Sequence, residues 1–468
     1  MTTTTIPLIK GDKIDLETDY GDALPVNMTA VIKPIRGANG YMVSHPGIES
    51  FATGQGIDRG AVWNARQREH FRISGSRLIS VDPTGLVSDL GFVGGAEQAS
   101  LAYSFNTQGI VTDGKFFLYD GTTLSEVTDP QVGTPIDLTW IDNFYVLTDG
   151  ENIYHTNIGD ETTISPTQFD TSEFSPDPTL AVDKTSDDQL IVFDRYTTVY
   201  FIQRFVEDFA FQWIKGKSIK VGIVGTHCET ELEGVFYILG GGKEESPSVH
   251  YLTAGTYISV ATREVDEIIE EYDEAELATA VLETRSERKD RFILVRLPRD
   301  TLIFNVTIDK AFGKEFAWTI LKSGFENDPW TAANGVYDPR QSLWVYGDIN
   351  TSRIGKLNND IGSQYGDKVE YILFSPLTNL EGMSIDALEV DTIPGHQVNN
   401  DEVTVSLSFT YDGVTYGKEW FQLYGEQYEY NQRYILNRLG YVRNFFGYKL
   451  RSITDEKLAF SLSRITYG

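Results

Sequence analysis

Phe144-Tyr-Val-Leu-Thr-Asp-Gly-Glu-Asn-Ile-Tyr154 is an apolar strand, an Asp-Gly turn and a second strand in immediate succession. Asp-Gly is a tight-hairpin signal, because glycine takes a positive φ without steric cost. The same form recurs as Phe71-Arg-Ile-Ser-Gly-Ser-Arg-Leu-Ile79, Ile110-Val-Thr-Asp-Gly-Lys-Phe-Phe-Leu-Tyr119 and Leu190-Ile-Val-Phe-Asp-Arg-Tyr-Thr-Thr-Val-Tyr200. Val235-Phe-Tyr-Ile-Leu239 reaches Val249-His-Tyr-Leu252 across a turn-rich segment. Repeats opening at Phe292 and Leu343 complete seven. The hairpins start 34 to 57 residues apart, which suits one four-stranded propeller blade, since known blade repeats use about 40–50 residues. The reading is an all-β chain whose seven hairpin repeats close as six or seven blades of a β-propeller. No WD or kelch signature is present, so an irregular β-rich fold is the alternative.

Composition agrees. Gly is 42 of 468 residues and aromatics are 12%, against 4 Met and 1 Cys, a balance that favours short strands and tight turns over a helical bundle. The length exceeds the roughly 250–300 residues at which one core stops growing. A boundary is expected near 361–367. Beyond it the strands lengthen and alternate, as in Asp386-Ala-Leu-Glu-Val-Asp391, Val403-Thr-Val-Ser-Leu-Ser-Phe-Thr-Tyr411 and Leu458-Ala-Phe-Ser-Leu-Ser-Arg-Ile465. Asp412-Gly413 is read as the hairpin turn after Tyr411. The organisation expected is an N-terminal arm over 1–50, a propeller core over 51–361 and an antiparallel β-sandwich over 362–468. One helical segment is expected near 264–283, where Val265, Ile268, Ile269 and Tyr272 share a face, with an Asp273–Glu276 capping box beside it.

Charge disfavours a conventional nucleic-acid binder, which neutralises phosphates with a basic face: 39 basic and 68 acidic residues give −29. Within 264–276, eight of thirteen residues are acidic. Glu264, Asp266, Glu267, Glu270, Glu271 and Asp273 form either a solvated face or a negative wall toward a channel or partner. The last 38 residues run the other way, with seven basic and two acidic side chains. That strip, including Arg433, Arg438 and Arg443, suits an acidic surface such as the next copy of the chain, or is the solvated side of the last strands.

No catalytic constellation emerges. The six histidines show no His-x-x-x-His or His-Glu-x-x-His spacing, and the lone Cys228 leaves no cysteine zinc site or internal disulfide. Gly240-Gly-Gly-Lys243 is followed by Glu244, which rules out a Walker lysine, and Gly54 to Gly60 lacks the dinucleotide spacing. Catalytic, cofactor and metal residues are all read as none. No apolar run spans a membrane, and the first residues lack the features of a signal peptide. A glycan-binding or glycan-cleaving propeller stands as the alternative function, because propellers can converge carboxylates on their axis.

Several stretches resemble the packaged-DNA stabilisation proteins, or tail nozzles, of short-tailed bacteriophages. They are Leu24-Pro-Val-Asn-Met28, Gly40-Tyr41, Pro46-Gly-Ile48, Val265-Asp-Glu-Ile-Ile-Glu-Glu-Tyr272, Leu297-Pro-Arg299, Ser363-Gln-Tyr365, Leu373-Phe-Ser-Pro-Leu377, Tyr411-Asp-Gly413 and Gly447-Tyr-Lys-Leu-Arg451. Their shared order covers nearly the whole length and is weakest between Phe51 and Gly222. The resemblance implies a non-enzymatic virion protein of the phage tail, assembled in the host cytoplasm. It implies a homohexameric ring below the portal and adaptor that retains packaged DNA and carries it during ejection. The implied partners are the adaptor, a tailspike or tail fibre, a tail needle and double-stranded DNA passing through the lumen without tight binding. Leu24, Pro25, Val26, Asn27 and Met28 would open an arm that packs on a neighbour or the ring above, or would close the first blade.

Overall fold

The computed structural model describes residues 2–9, 11–14, 20–34, 38–172, 174–204, 208–253, 255–326, 328–395, 397–398, 402–430 and 432–468. Seven meandering antiparallel sheets follow one another along 58–92, 100–126, 137–170, 179–213, 229–259, 281–329 and 332–358, here called blades 1 to 7. The hairpin that recurs in the sequence is the second and third strand of each blade, as in Phe144–Thr148 and Ile153–His155 of blade 3. Its turn chemistry is local. Asp113 (φ 53°) and Gly114 (φ 68°) both take left-handed conformations between Thr112 and Lys115. At Asp149 the carboxylate accepts the N–H groups of Glu151 and Asn152 at 3.0 and 2.7 Å.

Apolar side chains on the blade faces fill the gaps between neighbours. Phe71, Ile73, Ile110 and Phe117 pack between blades 1 and 2, and Ile141, Val146, Val182 and Val192 between blades 3 and 4. Full burial of each such side chain is worth about 1.5–3 kcal/mol.

The ring closes through a strand from far away in sequence. Gly47–Thr53 pairs antiparallel with Arg353–Asn358 and becomes the fourth strand of blade 7. Ile48 on that strand is fully buried against Phe292, Leu294, Trp330 and Tyr346. The close approach requires Gly355, where a Cβ would stand 2.3 Å from Ile48 Cγ2. Seven blades result. The expected division at residue 50 therefore falls inside the closing strand.

The second domain is a sandwich, and its composition differs from expectation. One sheet holds Ser384–Thr392, Tyr434–Tyr441 and Ala459–Tyr467 together with three N-terminal strands, Thr2–Pro7, Met28–Val31 and Tyr41–Ser44. The other holds Val369–Phe374, Phe445–Thr454, Val403–Thr410 and Trp420–Gly425. Three strands from the first fifty residues thus belong to the sandwich, because Ala459–Tyr467 still has backbone groups to pair once Ser384–Thr392 lies beside it. After Thr410 the chain makes a loop to Trp420 rather than a tight hairpin, with Asp412 accepting the N–H groups of Val414 and Thr415.

Helix α1, Arg263–Glu270, and α2, Glu274–Leu277, connect blades 5 and 6. The Asp273–Glu276 capping box is present in both directions. The helical segment stops at Leu277, since Val281 already begins the inner strand of blade 6. A further helix, α3, Val306–Phe312, was not foreseen; Asn305 caps it by accepting the Thr307 and Ile308 N–H groups.

Candidate functional site

The first strand of each blade faces the propeller axis, and together these strands surround a cavity of about 1080 Å³. Its wall has two characters. Trp63, Tyr103, Trp140 and Tyr337 stand at or next to the ends of the inner strands of blades 1, 2, 3 and 7, and all four line the cavity with Phe105 and Trp344. Phe105 and Tyr337 are exposed. Carboxylates come from blades 3, 4, 5 and 6, as Asp137, Asp183, Glu229 and Glu283.

The first three of these acids are held by few donors. Asp137 Oδ2 accepts the Val182 N–H at 2.9 Å, and Asp183 Oδ1 accepts the Thr139 hydroxyl at 3.3 Å and the Lys184 N–H at 2.7 Å. Glu229 Oε2 is shut off from solvent with no hydrogen-bond partner. Burial pushes Asp137 up to about 7, opposed by donors and reinforced by the Asp183 charge. Burial also raises Asp183, with Glu231 adding to it, and raises Glu229, reinforced by Asp183, Asp137 and Glu231. Two cations, Lys184 and Arg66, also line the cavity, and the Lys184 charge draws Asp183 partly back down. Arg296 faces Glu283 at 3.7 Å, and His227 is brought down to about 4 by burial and the Arg296 charge.

The other described histidines are structural, with His250 edge-on to Tyr257 at 5.1 Å between ring centroids. His45 Nε2 meets Arg285 at 2.9 Å, His70 Nε2 meets Arg72 at 3.1 Å, and His155 Nε2 accepts the Ala210 N–H at 3.0 Å. His396 lies outside the described residues. Cys228 is buried, and burial pushes its thiol upward. Among the described residues no group of three or more His, Cys, Asp or Glu side chains could hold a metal ion.

The residues expected as assembly contacts lie apart from this cavity and from each other. Leu24, Val26, Asn27 and Met28 are buried within their own chain, and Pro25 is half-buried. Val26 N–H donates to Ile372 O of the sandwich at 2.9 Å, and Asn27 N–H to Ile320 O of blade 6 at 2.8 Å. The Asn27 amide donates to Lys322 O and Glu370 O, and its carbonyl accepts the Lys322 N–H. This segment rivets propeller to sandwich; it is neither a free arm nor the closure of the first blade, because its polar groups are satisfied at that junction.

Three of the seven basic residues in the strip are paired with acids of the same chain. Arg433 meets Glu389 at 2.8 Å and Arg464 meets Asp391 at 2.9 Å, while Arg451 is paired with Glu370 and Glu419. Arg438 and Arg443 are exposed, and Arg438 shares a groove of about 520 Å³ with Tyr411, Tyr416, Lys418 and Trp420. None of the six expected acidic residues lines the propeller cavity. Asp266 accepts the Ser248 hydroxyl, Glu267 pairs with Arg263 and Asp273 caps α2; Glu264 is half-buried, and Glu270 and Glu271 are exposed. The axial residues escaped the sequence reading because it fastened on the second strand of each repeat. The signal was there: an aromatic closes the strand just before four of the seven hairpins.

Two family models match consecutive parts of the chain. The Bacteriophage P22 Gp10 beta-propeller matches residues 4–362, and the Bacteriophage P22 Gp10 beta-sandwich matches residues 370–468. The chain belongs to the P22 Gp10 family. A curated relative, the tail hub protein gp10 of Salmonella phage P22, is 29% identical over 475 residues, covering 97% of this chain and 98% of that protein. Among solved structures, a streptogramin B lyase aligns at TM-score 0.44 with 11% identity, over 66% of this chain and 97% of that one. The N-terminal domain of Nup159 aligns at TM-score 0.41 with 8% identity, over 72% of this chain and 99% of that one. At these scores neither alignment says anything further about the P22 Gp10 family member described here.

Proposed function

We propose that this chain is a structural protein of a phage tail, a virion component with no catalytic role, acting as the repeated subunit of a tail nozzle. The observation that carries the reading is collinear similarity to a tail hub protein across both domains, over 97% of the chain. The finer picture is a homohexameric ring below portal and adaptor that retains packaged DNA, extends the ejection channel and offers surface to tailspike or fibre and to a needle. Charge supports it: a subunit at −29 repels phosphate, so a lumen built from it conducts duplex DNA without gripping it. Screening confines that repulsion to about 8–10 Å at physiological salt, so only carboxylates facing the bore contribute.

An assembling subunit needs uncovered apolar surface, and the sandwich has it. Trp420, Phe421 and Leu423 are 48, 66 and 42% exposed on Trp420–Gly425, an edge strand of its sheet, with Tyr428 at 73% and Tyr441 at 61%. Such a cluster on an unpaired edge is an interaction surface by its chemistry. The assembly contact therefore shifts from Leu24–Met28 to this face, with Arg438 bordering it beside Trp420.

Negative-stain imaging of the chain mixed with its adaptor tests the reading. Rings with an axial hole, abolished by Phe421→Asp, and no retention of duplex DNA at physiological salt are expected. A solitary working subunit, tight duplex binding or saccharide release from host polysaccharide would overturn it.

A further inference from the structure

In a closed ring of more than two copies every contact is heterologous, one patch of a copy meeting a different patch of the next. The exposed edge of Trp420–Gly425 therefore needs a complement elsewhere on the same chain. Unpaired sheet edges qualify, because their free N–H and C=O groups accept a further strand.

Five of the seven blades end in outer strands of two to four residues: Leu124–Glu126, Phe169–Asp170, Phe211–Trp213, Thr256–Ser259 and Asp328–Pro329. Such short strands blunt an edge. Blade 7 ends in the longer Gly47–Thr53, whose exposed residues include Glu49 and Ser50, and charge on an edge also discourages pairing. In the sandwich, Tyr434–Tyr441 is partly covered by the facing sheet. Ile435 O accepts the Gln422 amide at 2.7 Å, and Leu439 O accepts the Tyr411 hydroxyl at 3.2 Å.

Blade 1 differs. Its outer strand, Val87–Phe92, has six residues, as Trp420–Gly425 has, and among the described residues it pairs only with Arg77–Val81. Leu86, just before it, and Phe92, at its end, are 65 and 64% exposed. Charge complements the match. Lys418 stands over the Trp420 ring and Lys449 over Tyr416, and neither is ion-paired among the described residues. On blade 1, Asp89 takes up Arg77 at 2.5 Å, and Asp82 has only the amides of Thr84 and Leu86 and the Thr84 hydroxyl as partners. A cationic edge and an anionic one steer each other into register.

We infer that neighbouring copies join by strand addition, Trp420–Gly425 of one copy lying edge to edge with Val87–Phe92 of the next. Phe421 and Leu423 then cover Leu86 and Phe92. This contact rests on the ring proposed above and names the surface that completes it.

Negative stain and native mass spectrometry of the chain with its adaptor test it. Phe92→Asp and, separately, Leu86→Asp should each cut ring yield about tenfold or more, with circular dichroism melts unchanged. Ile258→Asp, on the short outer strand of blade 5, should leave rings intact. The decisive sample mixes Phe92→Asp chains with Phe421→Asp chains. Each keeps the surface that the other lacks, so pairs should form and growth should stop there. Parental ring yield from both blade 1 variants would overturn the inference and leave the ring itself standing. A mixture that forms no pairs, or that forms rings, would overturn the match between these two edges. A parent chain that never forms rings would bring down the proposed function and this contact with it.

Discussion

Replacing Arg72 with Met attacks the seam where the propeller closes. Arg72 is fully buried in blade 1, its Nε 2.6 Å from Asp58 Oδ2. Its other nitrogens reach across to blade 7, donating to Asn334 O at 2.8 Å and to Ala333 O and Val345 O at 3.3 Å each. Asp58 Oδ1 in turn accepts the Asn334 amide at 2.7 Å, and Gly347 gives way to it, since a Cβ there would stand 2.1 Å from Asp58 Cγ. Met fills much of the volume but leaves a buried carboxylate without its cation and three carbonyls short of a donor. Breaking one side of such a buried pair costs about 3–5 kcal/mol. The Asn334 amide still holds Asp58, so Arg72→Met should fall near the lower figure, about 3 kcal/mol. Asp58→Asn strands the guanidinium instead and should cost about as much. The double variant removes both charges, so its loss should be smaller than the sum by about 2 kcal/mol. Urea unfolding at pH 7 reads the free energies, and hydrogen exchange on Glu69–Ser74 and Leu343–Asp348 shows that the seam opens first. A cost under about 1 kcal/mol for Arg72→Met, or strict additivity, would refute the claim that this pair latches blade 1 to blade 7.

Asp137 is a carboxyl whose folded pKa is raised to about 7, so it weakens the fold most at high pH, and the penalty fades as pH falls toward its unfolded value. Asp137→Asn should stabilise the chain at pH 8 by up to about 4 kcal/mol and by nearly nothing at pH 4, as read by urea melts at the two pH values. Ile48→Ala in the closing strand removes a fully buried side chain and should cost about 3 kcal/mol, seen as loss of exchange protection in Arg353–Asn358. Asn27 has φ 54° and bonds both domains. Asn27→Gly keeps the conformation but loses the side-chain bonds, and limited proteolysis should then release the sandwich from the propeller sooner than in the parent chain.

How much could be read in advance follows the range of the forces involved. Asp113-Gly114 and Asp149-Gly150 bend as expected because the atoms that settle each turn lie within four residues. The Asp273–Glu276 capping box is equally local. Failure begins where partners are distant. Gly47–Thr53 resembles the tail end of an arm until Arg353–Asn358 lies beside it. The charge of the C-terminal strip was counted along the chain, whereas Glu370, Glu389 and Asp391 reach Arg451, Arg433 and Arg464 only across strands. The acidic residues of α1 drew attention by density, and the carboxylates with perturbed chemistry, Asp137 and Glu229, are single letters in different repeats.

From residues alone came a β-chain of seven hairpins, an acidic whole and a likeness to phage tail nozzles, because turn formation, strand alternation and net charge are properties of neighbours and of sums. Tertiary structure alone decided that the seven hairpins make seven blades, that the N-terminus completes the sandwich, and that aromatic and acidic side chains from separate repeats line one axial cavity. Those outcomes depend on backbone groups and side chains hundreds of residues apart, and only closure of the ring brings them within a few ångströms.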